Sequence, residues 1–406
     1  MRYAFLQGFQ STNISERLEI EEDTQSDTTE ELAEQLSTDF WTSRGDSPRS
    51  FDVEEGGTIT VDYTGLTPLG KFYAHFALQM WSDATGLEFE VVQGNADITF
   101  DDNDSGAYTT SEVDRNGTIE SSYVNISDDW NPGDGYDFSN YTFQTYVHEI
   151  GHALGLGHAG DYNGSAQYGV DNLYDNDSWQ ATIMSYFDQE ENTDVDADFA
   201  YVATPQAADV LAIQDLYGTT STTRTEDTTY GDNGTAGVVL NQAATSQTPT
   251  TYTIVDDGGI DTLDYSSSFD DQVLDLREGA ISDVRGVEGS LIIAEGTGIE
   301  NAIGGSGDDT IIANDLDNTL TGGSGSDIFL FYTNESASAN SDTITDFEDG
   351  SDIIYIDDGV SGTTFGYDQL EFADAGSGTS ILYDDDEIIL ENVDTTSLGA
   401  EDFMFA

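Results

Sequence analysis

The 406-residue chain contains no cysteine, so no disulfide can form and stability outside a cell would have to come from packing or bound metals. Basic side chains are almost as scarce: Lys71 is the single lysine, and Lys and Arg together number 9 against 81 Asp and Glu. A formal net charge of −72 argues against binding nucleic-acid phosphates or an anionic membrane surface and favours cations. No apolar run approaches the roughly 18 residues of a membrane span. The opening residues Met1–Gly8 lack the apolar core of a secretory signal peptide, so export, if it occurs, is expected by another route. Two sources of the acidity stay open: adaptation to high salt, where charges are screened over roughly 3 Å at 1 M, or calcium loading that offsets carboxylates.

What is present is enough to fold. Hydrophobic residues make up 37% of the chain, with 20 Phe and 21 Tyr, so a sizeable core is expected rather than bulk disorder. At roughly 100–200 residues per domain the length suggests two or three domains. Residues 1–38 are polar and acidic and read as a leader or propeptide, or else a solvated extension, ending in a helix-like stretch at Glu30–Gln35. Thr58–Tyr63, Leu87–Val92 and Ala96–Phe100 alternate like strands. Phe72–Trp81 and Tyr141–Leu154 carry apolar residues at helical spacing, which together predicts a sheet with helices packed on it over residues 39–219. After Thr219–Thr223 helical periodicity gives way to glycine, aspartate and short β-branched runs, marking a second domain over 220–406.

Three of the four histidines fall within eleven residues, His148-Glu149-Ile150-Gly151-His152-Ala153-Leu154-Gly155-Leu156-Gly157-His158. His148 and His152 lie one helical turn apart, off the apolar stripe of Phe143, Val147, Ile150 and Leu154. Two such imidazoles can hold one Zn²⁺ at about 2.0–2.1 Å. Glu149 suits the base for an activated water. Gly155 can stop the helix in a left-handed conformation and return His158 to the same ion. Three protein ligands leave a fourth position open, the pattern of a catalytic zinc. His75, the fourth histidine, is given no role.

This run resembles the zinc motif of the metzincin metalloproteases, which is followed by a methionine turn, here Ile183-Met184-Ser185-Tyr186. It is similar to the serralysin branch in particular. The resemblance implies Met184 as the floor of the site and Tyr186 as a switchable zinc ligand that steadies the oxyanion. Gly160-Asp161-Tyr162-Asn163 and Ala212–Gly218 extend the match, while Ala159 stands where serralysins usually have proline. By the same analogy an extended substrate would lie along Ala96, Asp97, Ile98, Thr99 and Phe100.

In the second half, Gly304–Ile312 and Gly322–Leu330 fit the nonapeptide G-G-x-G-x-D-x-U-x, whose glycines and aspartate turn ligands toward a Ca²⁺ while the apolar residue points inward. The resemblance implies calcium ligands at Gly305, Gly307, Asp309, Gly322, Gly323, Gly325 and Asp327. An earlier paired site would use Arg224, Glu226, Thr228, Asp256, Gly258, Gly259 and Asp261, with Gly298 and Glu300 leading into the repeats; Glu226 stands where the family usually has glycine. The chain's last residues, Asp402–Ala406, resemble an uncleaved type I secretion signal, and without that resemblance read as a buried last strand.

The expectation is therefore an α+β two-domain protein: a metzincin-like catalytic domain followed by an all-β calcium-binding roll. It would be a secreted, salt-adapted zinc endopeptidase with one catalytic Zn²⁺ and several structural Ca²⁺, expected to be a monomer. Its partners would be protein or peptide substrates and a periplasmic or extracellular proteinaceous inhibitor. The rivals are a non-enzymatic calcium-binding adhesin or surface-layer protein, and a zinc hydrolase acting on something other than protein.

Overall fold

The computed structural model describes residues 28–130, 135–219, 222–332, 339–357, 366–383 and 386–406. Residues 1–27 of the expected leader lie outside the described residues. The remainder of that segment is part of the folded core. Helix α1 (Thr29–Glu34) starts at a reciprocal cap, in which Thr28 Oγ1 accepts from Glu31 N–H and Glu31 Oε2 accepts from Thr28 N–H. It continues through a π-helical stretch (Gln35–Asp39) into a last turn, Phe40–Thr42. Leu32 and Leu36, four apart on one face, are fully buried. Gly157 N–H donates to Leu36 O (2.8 Å) and Trp41 Nε1–H to Gly155 O (2.8 Å). Two apolar residues a turn apart are enough to seat a helix that is otherwise acidic, so residues 28–38 pack on the core and are not a solvated extension.

The first half is a five-stranded sheet with helices against it. Strands β1 (Thr58–Asp62), β2 (Glu88–Val91), β3 (Ile98–Asp101), β4 (Ala107–Val113) and β5 (Ile119–Ile126) lie in the order β2-β1-β3-β5-β4. All neighbours are parallel except β4, which runs antiparallel to β5 and forms an edge. Helix α2 (Pro68–Thr85) begins at the Thr67 cap with proline in its first turn and stops at left-handed Gly86. Helix α3 (Tyr141–Leu154) has its cap at Asn140, whose Oδ1 accepts from Phe143 N–H. Trp81 Nε1–H donates to Val147 O (2.9 Å), fixing α2 against α3. Helix α4 (Ala207–Tyr217) closes this half.

Beyond residue 228 the chain coils between two sheets. Asn301 pairs in parallel with Thr319, and Thr310 with Ile328, so each full coil takes two nonapeptides. Successive strands alternate between an eight-stranded and a nine-stranded sheet, and the inward Ala302, Ile311, Leu320 and Phe329 are fully buried between them. Ala313–Thr321 keeps this phase without its glycines. An α-helix, α5 (Val238–Thr245), interrupts the β-structure. Phe403–Phe405 pairs with Ile353–Asp357 as an end strand of the nine-stranded sheet. The halves are joined by pairing of Tyr201–Val202 with Thr250–Ile254 and by the Arg224–Asp83 ion pair. Architecture and order agree with the expected α+β domain followed by a β-roll. Among the described residues no helix is long and apolar enough to cross a membrane.

If α1 is integral to the core, Leu36→Ala should lower unfolding free energy by about 2–5 kcal/mol. Chemical denaturation followed by tryptophan fluorescence measures this, and an unchanged midpoint would make the helix an appendage.

Candidate metal centre

Helix α3 carries the first two histidines on one side. Its fourteen residues end at Gly155, which has φ +118°, a region where a Cβ is disfavoured; a side chain there would also strike the Arg49 carbonyl. The resulting turn brings His158 back. The ligand nitrogens of His148, His152 and His158 all lie within 4.8 Å of one another, and the Nε2 atoms of His152 and His158 are 3.0 Å apart. His148 Nδ1 is 2.8 Å from Ile183 O and His152 Nδ1 is 2.9 Å from Leu156 O. A carbonyl can only accept, so both Nδ1 atoms carry the proton and both Nε2 lone pairs are free for a metal. Among the described residues His158 Nδ1 is buried with no hydrogen bond of good geometry. Burial lowers the proton affinity of all three rings, His152 to about 3, with the neighbouring histidines adding to the effect at His152 and His158. Neutral imidazoles crowded this closely fit a zinc ion by donor type and by number.

Glu149 projects from the same helix and is buried. Burial pushes its carboxyl up to about 7, against a lowering hydrogen bond from Thr109. Met184 is fully buried beneath α3; a Cβ on Gly151 would sit 2.7 Å from its Sδ, so any larger residue there would have to displace the methionine. The Tyr186 ring lies 4.6 Å from that of His158 and 6.2 Å from that of His148, and its hydroxyl accepts from Gly164 N–H (3.3 Å). His75 is exposed, edge-on to Phe76.

The expected substrate strand is corrected. Ala96–Phe100 leads into and forms β3, which lies between β1 and β5, so both of its sides are already paired. Ile98 and Phe100 are core residues, and Asp97 is engaged by Thr60 N–H (2.8 Å) and Thr60 Oγ1–H (2.6 Å). The free edge beside the histidines is β4. Alternation alone does not distinguish an inner strand from an edge.

The residues singled out in the second half gather in two clusters. In the first, Asp261 Oδ1 accepts from Thr228 N–H (2.7 Å), Glu226 O accepts from Thr228 Oγ1–H (2.9 Å), and Asp256 accepts from Gly258 N–H and Tyr230 O–H. Gly259 packs on the Glu226 carbonyl, Arg224 takes a left-handed φ of +50°, and Glu300, near Gly298, accepts from Asp261 N–H (2.6 Å). Asp261 Oδ2 is buried and, among the described residues, has no hydrogen-bond partner. Burial, then the charges of Asp256, Glu300 and Asp227, push Asp261 up to about 7. In the second cluster Gly323 and Gly325 stack on the carbonyls of Gly305 and Gly307, Gly322 packs on Asp327, and Asp309 accepts from Gly305 N–H (2.6 Å). Burial raises Asp309 to about 6 and Asp327 to about 7. Buried carboxylates facing one another with carbonyls alongside are a donor set for a hard divalent cation.

Comparison with known proteins agrees with both halves. Residues 71–168 match the Matrixin family model, and residues 219–398 match the model described as Peptidase M10 serralysin C terminal. Serralysin of Proteus mirabilis is 37% identical over 273 residues, covering 62% of this chain and 55% of that protein. Serralysin B of Dickeya chrysanthemi is 39% identical over 264 residues (61% and 54%), and metallopeptidase AprA of Pseudomonas marginalis 34% over 302 (66% and 63%). The chain is a homologue of the serralysin-type metzincins. It spans a little over half the length of these relatives.

In this serralysin homologue several supporting residues lay outside the sequence reading. Asp209, in the first turn of α4, is completely buried and accepts from Thr182 Oγ1–H (2.5 Å), Ile183 N–H (2.7 Å) and Gln206 N–H (2.8 Å). It thereby holds the turn whose Ile183 carbonyl orients His148. The available sequence signal is the spacing Gln206-x-x-Asp209, an acidic residue in the first turn whose carboxylate accepts from the N–H three residues before it. Tyr162 O–H is shared between both oxygens of buried Asp177 (3.0 and 3.1 Å), bracing the ring beside His158.

Burial raises Asp209 from 3.8 to about 7, outweighing its hydrogen bonds. The folded state therefore binds this proton more tightly than the unfolded chain. The stability it contributes is complete below about pH 4 and is lost as pH rises toward 7. Asp209→Asn should flatten the difference in Tm across that window; wild type and variant with parallel Tm–pH curves would refute the assignment.

Proposed function

We propose that this serralysin homologue is a secreted zinc-dependent endopeptidase, with Glu149 as general base and calcium as a structural ion in its second half. The observation that carries the reading is three neutral imidazoles converging beside a buried carboxylate, next to an open sheet edge. Zinc held by His148, His152 and His158 would supply the Lewis acidity that makes water nucleophilic near neutral pH and polarises a peptide carbonyl. Glu149 takes the proton of the attacking water and later hands it to the leaving nitrogen. In this reading the Tyr186 hydroxyl, on a ring beside His158, donates to the developing oxyanion. A peptide laid along β4 adds a strand to the sheet, which favours an extended protein substrate over a compact small molecule. The clusters around Asp261 and around Asp309 with Asp327 are read as calcium sites on their buried, like-charged carboxylates, each held by backbone N–H groups but with no cationic side chain beside it among the described residues.

The same reading takes the strand at Phe403–Phe405 as a type I export signal, and the acidity as adaptation to salt. It also takes the chain as a monomer open to a proteinaceous inhibitor. The adhesin reading leaves Glu149 and the cluster of three buried imidazoles without a use.

Glu149→Ala should keep one zinc by mass spectrometry and lose casein hydrolysis by about 10²–10⁴-fold. Hydrolysis at the wild-type rate would exclude it as base. Separately, a calcium-selective chelator should melt the coiled half, read as loss of β-type circular dichroism, because each coil cannot bury its apolar residue alone. Unchanged spectra would argue against structural calcium.

A further inference from the structure

Thr109 lies on β4, opposite Val124 of the neighbouring strand. Its hydroxyl reaches across to α3, within 2.7 Å of Glu149 Oε2 and 2.9 Å of the Glu149 backbone carbonyl. This is the one hydrogen bond to the Glu149 side chain among the described residues. The carboxylate is otherwise enclosed, and a buried carboxyl with a single polar partner takes its orientation from that partner.

We infer that Thr109 is a positioning residue for the base: its hydroxyl fixes the Glu149 carboxylate and ties it to the strand that receives the substrate. The inference rests on the endopeptidase reading. Two features of the geometry give it content. First, the hydroxyl has one proton and two acceptors within reach. It donates to the carboxylate, and once Glu149 holds a proton it can accept from it while turning its own proton to the backbone carbonyl. The base thus keeps a partner in both forms. Second, β4 is an edge strand of the sheet, so a peptide pairing with β4 is placed against the same strand that holds the base. Substrate and base share one frame, and the reacting atoms are aligned without a separate adjustment.

The test uses the full-length, zinc-loaded chain and a fluorogenic peptide. Thr109→Val keeps the β-branched shape and removes the hydroxyl; Thr109→Ser keeps the hydroxyl and removes the methyl. Zinc content and far-UV circular dichroism establish that each variant is folded and loaded, and Thr109→Ala replaces the valine variant if that one does not load. The valine variant should lose about 10- to 100-fold in kcat with KM within about twofold, and the serine variant should recover most of it. Wild-type kcat in the valine variant, a change confined to KM, or equal losses in valine and serine variants would overturn the inference while leaving the endopeptidase reading in place. A zinc-loaded wild type that hydrolyses no peptide would overturn both.

Discussion

Neutral imidazoles kept close together in a water-poor interior are the constraint on which the first half depends. His152 and His158 bring their Nε2 atoms to 3.0 Å. Lone pairs that near to each other repel unless a cation or proton lies between them, and burial disfavours a charged imidazolium there. The surrounding structure is arranged to hold that geometry. Backbone carbonyls of Ile183 and Leu156 fix two of the rings, Gly155 turns the chain, and α1 closes over the turn through Gly157 and Trp41. The helix read from sequence as a leader is in this way a wall of the site.

The second half meets the same electrostatic problem with the opposite sign. Asp261, Asp309 and Asp327 are buried with little positive charge near them. Nine basic residues cannot neutralise 81 acidic ones, and those within this half are committed elsewhere: Arg277 to Asp275, Arg285 to Asp232 and Arg224 to Asp83 across the halves. Burying carboxylates on such terms costs several kcal/mol each without a counter-ion, which makes divalent cations the natural complement to the chain's composition.

Much of this was legible in residues 148–158 and in the glycine-aspartate repeats, because both signals are local. One helical turn separates His148 from His152, and one nonapeptide separates successive strands. The helix at 141–154 and the alternation of the coils follow from those periods. Which strand is the open edge was not legible. Ala96–Phe100 and Ala107–Val113 both satisfy a strand pattern, and only the order of strands decides which of them keeps a free side. Thr109 and Asp209 were missed for a related reason: each acts across 26 to 40 residues of sequence, a separation that carries no period.

The chain's order of residues by itself determined the donor chemistry, three imidazoles and a carboxylate on one helix and its turn, and the coil period of the second half. These depend on bond geometry and on spacing within a few residues. Tertiary structure alone decided which strand lies open, which hydroxyl holds Glu149, and that the acidic stretch before residue 39 is packed rather than free, since each is set by contacts between segments that meet only when the core closes.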